Sequence, residues 1–315
     1  MLRFSPFRLL CTVCLGLAAS LLYGLVSMVV VRAVEGPTAA TLFWIDYALS
    51  FNTLISFGLA LGTAFIIFDS QEVVPATIGG AFDAGLLSKT DYFRQRTRFL
   101  SLRRSITFSG VFTAAGFYVF QQCQFPRGGL SEALMLLSGS AQWGLGVYVG
   151  RKLFYAAMMM RSLLAVPVTE NLFATRKLDE INSYVHFTST LTIICSYLHV
   201  RGYFKGPFLY HGDFGEGAKI AFILMAIIAT PVLVALNVYA RVVLNKLYGD
   251  SIKLESDALR EALANDELSS FEKRYYLMEY DKMVKDELNN SLKLTLSDIP
   301  LGITLLIMVL EPFIK

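Results

Sequence analysis

The chain has 315 residues, 55% of them hydrophobic and only 17% charged, with a formal net charge of +3 and a mean hydropathy of +0.53. A soluble domain carries about 25% charged residues, so a water-soluble globule does not fit, and so small an excess of positive charge leaves nucleic-acid binding unsupported. The apolar residues come in runs able to cross about 30 Å of hydrocarbon, and the expected fold is all-α: a polytopic helical membrane bundle of about seven transmembrane spans.

The runs lie at 9–31, 43–68, 105–121, 131–150, 185–200, 218–241 and 295–314. The first exceeds the short apolar core of a cleaved signal peptide and reads as an uncleaved signal anchor. Gly16, Ser20 and Gly24 recur every fourth residue on one face, the spacing that lets the backbones of membrane helices approach closely. Cys11 and Cys14 form a C-x-x-C inside the apolar run, where a thiol lacks the electropositive setting of redox chemistry, and they read as small apolar residues. In the second span Gly58 and Gly62 repeat the small-residue spacing. Trp44 and Tyr47 read as interfacial anchors and Asp46 as a carboxylate reaching headgroup water. The deeper Asn52 is suited to hydrogen bonding across helices.

Residues 88–104, SKTDYFRQRTRFLSLRR, open with a Ser-x-x-Asp capping signal. They read as an amphipathic helix at the inner surface, with Arg94, Arg98 and Arg104 near anionic headgroups. In the fourth span, GLGVYVG at 144–150 has the Gly and Tyr content of a potassium filter. Only eight apolar residues, Leu153 to Met160, then separate Arg151 and Lys152 from Arg161, too few for the second membrane helix a filter needs. Read as part of one span, the stretch sets Gly146 and Gly150, and likewise Ser140 and Gly144, four apart on helical faces for close packing.

The fifth span is short and hydroxyl-rich. His186, Ser189 and Thr190 fall along one stripe and Thr188, Thr192 and His199 on another, so this helix should sit inside the bundle or line a wet cavity. His186 and His199 stand about 20 Å apart along a helix and cannot share a metal. Span six carries Asn237 and a Thr230–Pro231 pair that can kink it. Between spans six and seven, 245–293 reads as a cytoplasmic helical pair. Ser269 and Glu272 form a capping box there, and Phe271, Tyr275 and Met278 make an apolar face in need of a partner. Span seven holds Asp298 and Pro300. A carboxylate beside a carbonyl freed by proline makes a candidate cation or proton site. The plainer reading is a cap, with Pro300 in the first turn.

Lys and Arg mark cytoplasmic flanks. With the N-terminus inside and seven spans, only Arg32, Arg127, Arg201, Lys205, Lys219 and Lys315 face outward, out of 28 basic residues. If the polar fifth span fails to cross, this asymmetry collapses, so six or eight spans remain the alternatives. The organisation expected is a transmembrane bundle over 1–244, a cytoplasmic hairpin over 245–293 and a last span over 294–315. The C-terminus would lie outside a cell or inner membrane. Intramembrane polar residues are functional suspects by default. The expected function is therefore ion or small-solute permeation through the bundle or an oligomeric pore, along a path including Asp298, Pro300, Asn52, His186, Ser189, Thr190 and Asn237. The alternative is a non-catalytic membrane subunit or sensor that binds a cytoplasmic partner through 245–293. No catalytic set, metal-ligand spacing or cofactor fingerprint is present in the sequence. Partners expected are the lipid bilayer and further copies of the chain or a membrane complex.

Overall fold

The computed structural model describes residues 6–49, 52–83, 87–121, 129–163, 256–264 and 269–282, with Lys285 and isolated helical positions between 184 and 254. Among these the fold is helical and has no strand. In chain order the elements are α1 (Pro6–Glu35), α2 (Pro37–Trp44), a π-helical turn (Ile45–Leu49), α3 (Asn52–Ser70), α4 (Val73–Asp83), α5 (Lys89–Leu100), α6 (Leu102–Gln121) and α7 (Leu130–Leu163). Further helical segments cover 256–263, with a turn at 264, and 270–282.

Two stretches are long and apolar enough to cross a membrane, Phe7–Glu35 and Thr53–Gly80. The expected seven are not reached among the described residues. Helices α6 and α7 have the length, 20 and 34 residues, but hydroxyls, glycines and basic residues dilute their apolar runs. The spans expected over 185–200, 218–241 and 295–314 lie largely or wholly outside the described residues. The second span also sits further along than expected. It begins near 53 and runs through to 80, so 73–83, expected in an inner loop, is helix.

Helix α1 is built inside out relative to a helix of a soluble protein. Its buried positions are Gly16, Ser20, Gly24, Ser27 and Val31, while Phe7, Leu15, Leu22, Val29 and Val34 are exposed. Small and hydroxylated residues face protein and large aliphatic ones face outward. That pattern suits a helix surrounded by lipid, where tight packing rather than escape from water draws helices together. Helix α1 stops at Gly36, which adopts φ +93°, and Pro37 opens α2 in the first helical turn. A positive φ is a region that favours glycine, and proline gives up no helical hydrogen bond at that place.

The chain divides into two compact units. The first comprises residues 1–72, 97–156 and 184–237. Within it α3 runs antiparallel to α1, as Arg8 reaches Asp69 at one end and Ser20 reaches Leu54 further along. Helix α7 likewise runs antiparallel to α6, with Ser109 against Gly144 and Gly116 against Ser140. Val31, Phe43, Tyr47, Phe57 and Met135 form a core. At one end, the Glu35 carboxylate closes the start of α7, accepting hydrogen bonds from the backbone N–H of Leu130 and, at 3.3 Å, of Ser131.

The second unit comprises 73–96, 157–183 and 238–315. In it the Tyr92 hydroxyl donates to Pro75 O at 3.1 Å and its ring stacks on Phe82 at 5.0 Å. Ser162 Oγ donates to Gln95 Oε1 at 3.1 Å. The basic helix expected over 88–104 is two helices, because α5 ends at Leu100 and α6 starts at Leu102. The Ser105 hydroxyl competes for the Ser101 carbonyl at the junction, a contact that bends helices. Arg94 and Arg98 lie exposed on α5, and Arg104 lies exposed on α6.

Candidate functional site

The seam between α1 and α3 is made by small residues. A Cβ added to Gly16 would meet the Gly58 carbonyl oxygen and the backbone of Gly62, at 2.6 Å from Gly62 Cα. One added to Gly58 would stand 2.9 Å from Leu17 Cα. One turn on, Ser20 Oγ donates to Leu54 O at 2.8 Å, and the Tyr47 hydroxyl donates to Ser20 O at 2.9 Å. Gly24 makes room for the Tyr47 ring, whose Cδ1 would lie 2.6 Å from an added Cβ. Tyr47 is therefore wholly buried rather than an interfacial anchor, and Asp46 is buried rather than open to headgroup water. Both sit in the π-helical turn 45–49. A turn closed by i→i+5 hydrogen bonds carries these two residues onto the protein-facing side.

Lys152 of α7 is fully buried. Its Nζ donates to the Phe99 carbonyl, lies 3.5 Å from Gln71 Oε1, and stands 5.2 Å from the Phe99 ring centroid and 5.9 Å from that of Tyr148. Among the described residues no carboxylate pairs with it. Lys152 lies beyond the span predicted over 131–150. Burial, aided by the adjacent Arg151 charge, pushes its ammonium down to about 8, since a low dielectric disfavours the charged form. The arrangement keeps a cation at neutral pH with only carbonyl, amide and π partners, and that cation releases its proton under mild alkalinity. In the sequence Lys152 follows Arg151 just past the predicted span and reads as a flanking cytoplasmic charge. The available signal was periodicity: Tyr148, Val149, Ala156 and Met159 are buried around it at helical spacing.

The other sequence-predicted residues fall as follows. Gly16, Ser20, Gly58 and Gly62 come together in the α1–α3 seam, while Gly24 lies against Tyr47 of the π-helical turn. Gly146 and Gly150 have open space where a side chain would be, whereas Gly144, on the neighbouring face of α7, lies against α6 with Ser109 O 2.8 Å from an added Cβ. Asn52 is the first residue of α3. Asp298, Pro300, His186, Ser189, Thr190 and Asn237 lie outside the described residues. Thr188, on the fifth predicted span, is helical and fully buried, its hydroxyl donating to Tyr184 O at 2.6 Å. Among the described residues no cluster of three or more His, Cys, Asp or Glu can hold a metal ion.

Helical segments 256–263 and 270–282 are joined by Arg260, whose Nη2 donates to the Tyr280 hydroxyl at 2.9 Å. The capping box forms at the start of the second helix. Ser269 N–H and Oγ donate to Glu272 Oε2 at 2.9 and 2.7 Å, and Glu272 N–H donates back to Ser269 Oγ at 3.3 Å. These bonds favour the charged form and hold the Glu272 carboxyl below its usual range. No family model, curated protein or solved structure matches the chain.

Proposed function

We propose that this chain is a non-catalytic membrane subunit or sensor whose apolar helices hold it in the bilayer while helix 270–282 engages a soluble partner on the inner side. One observation supports the reading. Phe271, Tyr275 and Met278 share one face of that helix and are 80%, 56% and 69% exposed. Large apolar side chains grouped in water mark an interaction surface. The capping box and the Arg260–Tyr280 contact hold the helix in shape from elsewhere on its surface, which leaves this stripe free for a partner. Phe271→Ser combined with Met278→Ser should abolish capture of a partner that cross-links to the full chain in native membranes, with membrane insertion unchanged. An undiminished partner set would overturn the reading.

A second reading, ion or small-solute permeation through the bundle or an oligomeric pore, draws on Lys152. An ionisable residue buried at the edge of a membrane bundle is a functional suspect. Asp298→Asn and Lys152→Met should each change flux in liposomes under this reading. Flux equal to that of the wild type in both would remove it.

A further inference from the structure

We propose that the groove between α6 and α7 is a binding site for an anionic phospholipid, with its headgroup on Arg103, Arg104 and Arg151 and its acyl chain over Val111, Val147 and Gly150. The groove lies within the first unit and has a volume of about 980 Å³, at the upper end of the range for ligand sites. Gly144 and Arg151 stand seven residues apart on one stripe of α7. At Gly144 the helices touch, Ser109 Oγ donating to Gly144 O at 2.5 Å. Two turns on, the Arg151 guanidinium sits 5.7 Å from the Phe108 ring of α6 and 5.5 Å from that of Tyr155. Side chains of this size hold the helices apart, and the groove opens between them.

The chemistry of the lining names the occupant. Three guanidinium groups line the groove, and among the described residues none is paired with a carboxylate. Guanidinium is suited to gripping phosphate oxygens. Stacking on Phe108 and Tyr155 fixes the direction of Arg151 without neutralising it. Apart from Thr107 the rest of the lining is apolar or aromatic, and the groove is open at Gly150, where an added Cβ meets nothing within 4 Å. Cationic groups together with an apolar bed match a molecule that is anionic at one end and hydrocarbon along the rest. A free inorganic anion held by the three arginines would still leave Val111, Val147 and Phe154 uncovered. Arg103 and Arg104 begin α6 at the end predicted to face the cytoplasm, the side on which anionic lipids collect. The inference rests on the chain lying in a bilayer and is independent of what helix 270–282 binds.

The test uses the full chain, purified in detergent and offered phosphatidylglycerol or phosphatidylcholine, with bound lipid counted by native mass spectrometry. Wild type should retain phosphatidylglycerol over phosphatidylcholine. Arg104→Gln should weaken retention about fivefold, the scale of one basic residue near an anionic surface. Gly150→Leu, which adds bulk in open space and leaves every charge in place, should also displace the lipid. Arg32→Gln, exposed in the last turn of α1, should change nothing. Retention by Gly150→Leu equal to wild type would show that the arginines act only as diffuse surface charge, and would overturn the site. So would full competition by inorganic phosphate. Absence of bound lipid, with Gly150→Cys cross-linking to another segment of the same polypeptide, would assign the groove to the chain itself and overturn it too.

Discussion

Gly16 of α1 lies directly against Gly62 of α3, backbone on backbone, with the Gly58 carbonyl closing the other side. A methyl group at Gly16 has no flexible side chain to push away and meets rigid main chain instead. Gly16→Ala should therefore separate the helices and stretch the Ser20–Leu54 and Arg8–Asp69 contacts beyond it. The expected cost is about 1–3 kcal/mol, the range for overpacking a well-packed interior. Gly150→Ala, into open space, should be neutral or stabilise by up to about 1 kcal/mol through helix propensity. Unfolding of both variants in mixed micelles decides the matter, and equal midpoints would show that Gly16 and Gly62 are not in backbone contact.

Glu35 holds the start of α7 from the far end of α1. Its carboxylate accepts from two of the N–H groups that a helix N-terminus leaves without intrahelical partners. Gly129 is shaped for the same contact. It adopts φ +94°, and an added Cβ would stand 3.2 Å from Glu35 Cδ and closer still to Oε1. Glu35→Gln keeps the shape and loses the charge opposite the helix dipole, so a loss of about 0.3–1 kcal/mol is expected. Glu35→Ala leaves the N–H groups without this acceptor and should cost about 1–3 kcal/mol. Gly129→Ala combines a strained backbone with collision against Glu35 and should destabilise at least as much. Thermal midpoints in detergent order the three, and Glu35→Ala matching wild type would refute the clasp.

What the sequence makes legible here is spacing, and what it withholds is opposition. Four-residue repeats of small residues show which face of a helix permits close approach. The same repeat meets backbone at Gly16 and open space at Gly150, because no periodicity encodes what lies across from a face. The Ser269–Glu272 box is legible because both partners lie within one turn of each other. The π-helical turn is not, since a shift in hydrogen-bond register leaves no mark in residue type, and Tyr47 and Asp46, expected at the interface, lie in the interior. Lys152 was hidden by its neighbour. Beside Arg151 it reads as a solvent-facing charge just past the predicted span, yet the helix continues beyond that span to Leu163 and Lys152 is buried.

Lys152 should make stability depend on pH in one direction. Its ammonium titrates near 8 in the folded chain against 10.5 when unperturbed. Between those values the unfolded chain holds a proton that the folded chain has released. Stability therefore rises with pH across that window, by a few kcal/mol at most for a shift of this size. Below about pH 8 both states are charged and the burial cost is present in full. Lys152→Met should remove the slope and, by deleting a buried unpaired charge, leave the protein as stable or more stable at pH 7. Denaturation midpoints at pH 7, 8.5 and 10 for wild type and variant test this, and a slope that survives in Lys152→Met would assign the titration to another group.

Ser20 and Tyr47 form a coupled pair rather than two separate contacts. Ser20 Oγ lies 2.8 Å from the Tyr47 hydroxyl and donates to Leu54 O, while Tyr47 donates to the Ser20 carbonyl. Tyr47→Phe removes one donor and leaves the Ser20 carbonyl in its helical bond, so a cost of about 1 kcal/mol is expected. Ser20→Ala also deprives Leu54 O of a donor and should cost more. Because the hydroxyls share partners, the double variant should lose less than the two single losses added together, with an interaction energy of about 0.5 kcal/mol or more. Strict additivity in that double-mutant cycle would mean that Tyr47 is held by Phe43 stacking and the Gly24 recess alone. In that case the hydroxyl pair would contribute nothing to joining α1 to the π-helical turn.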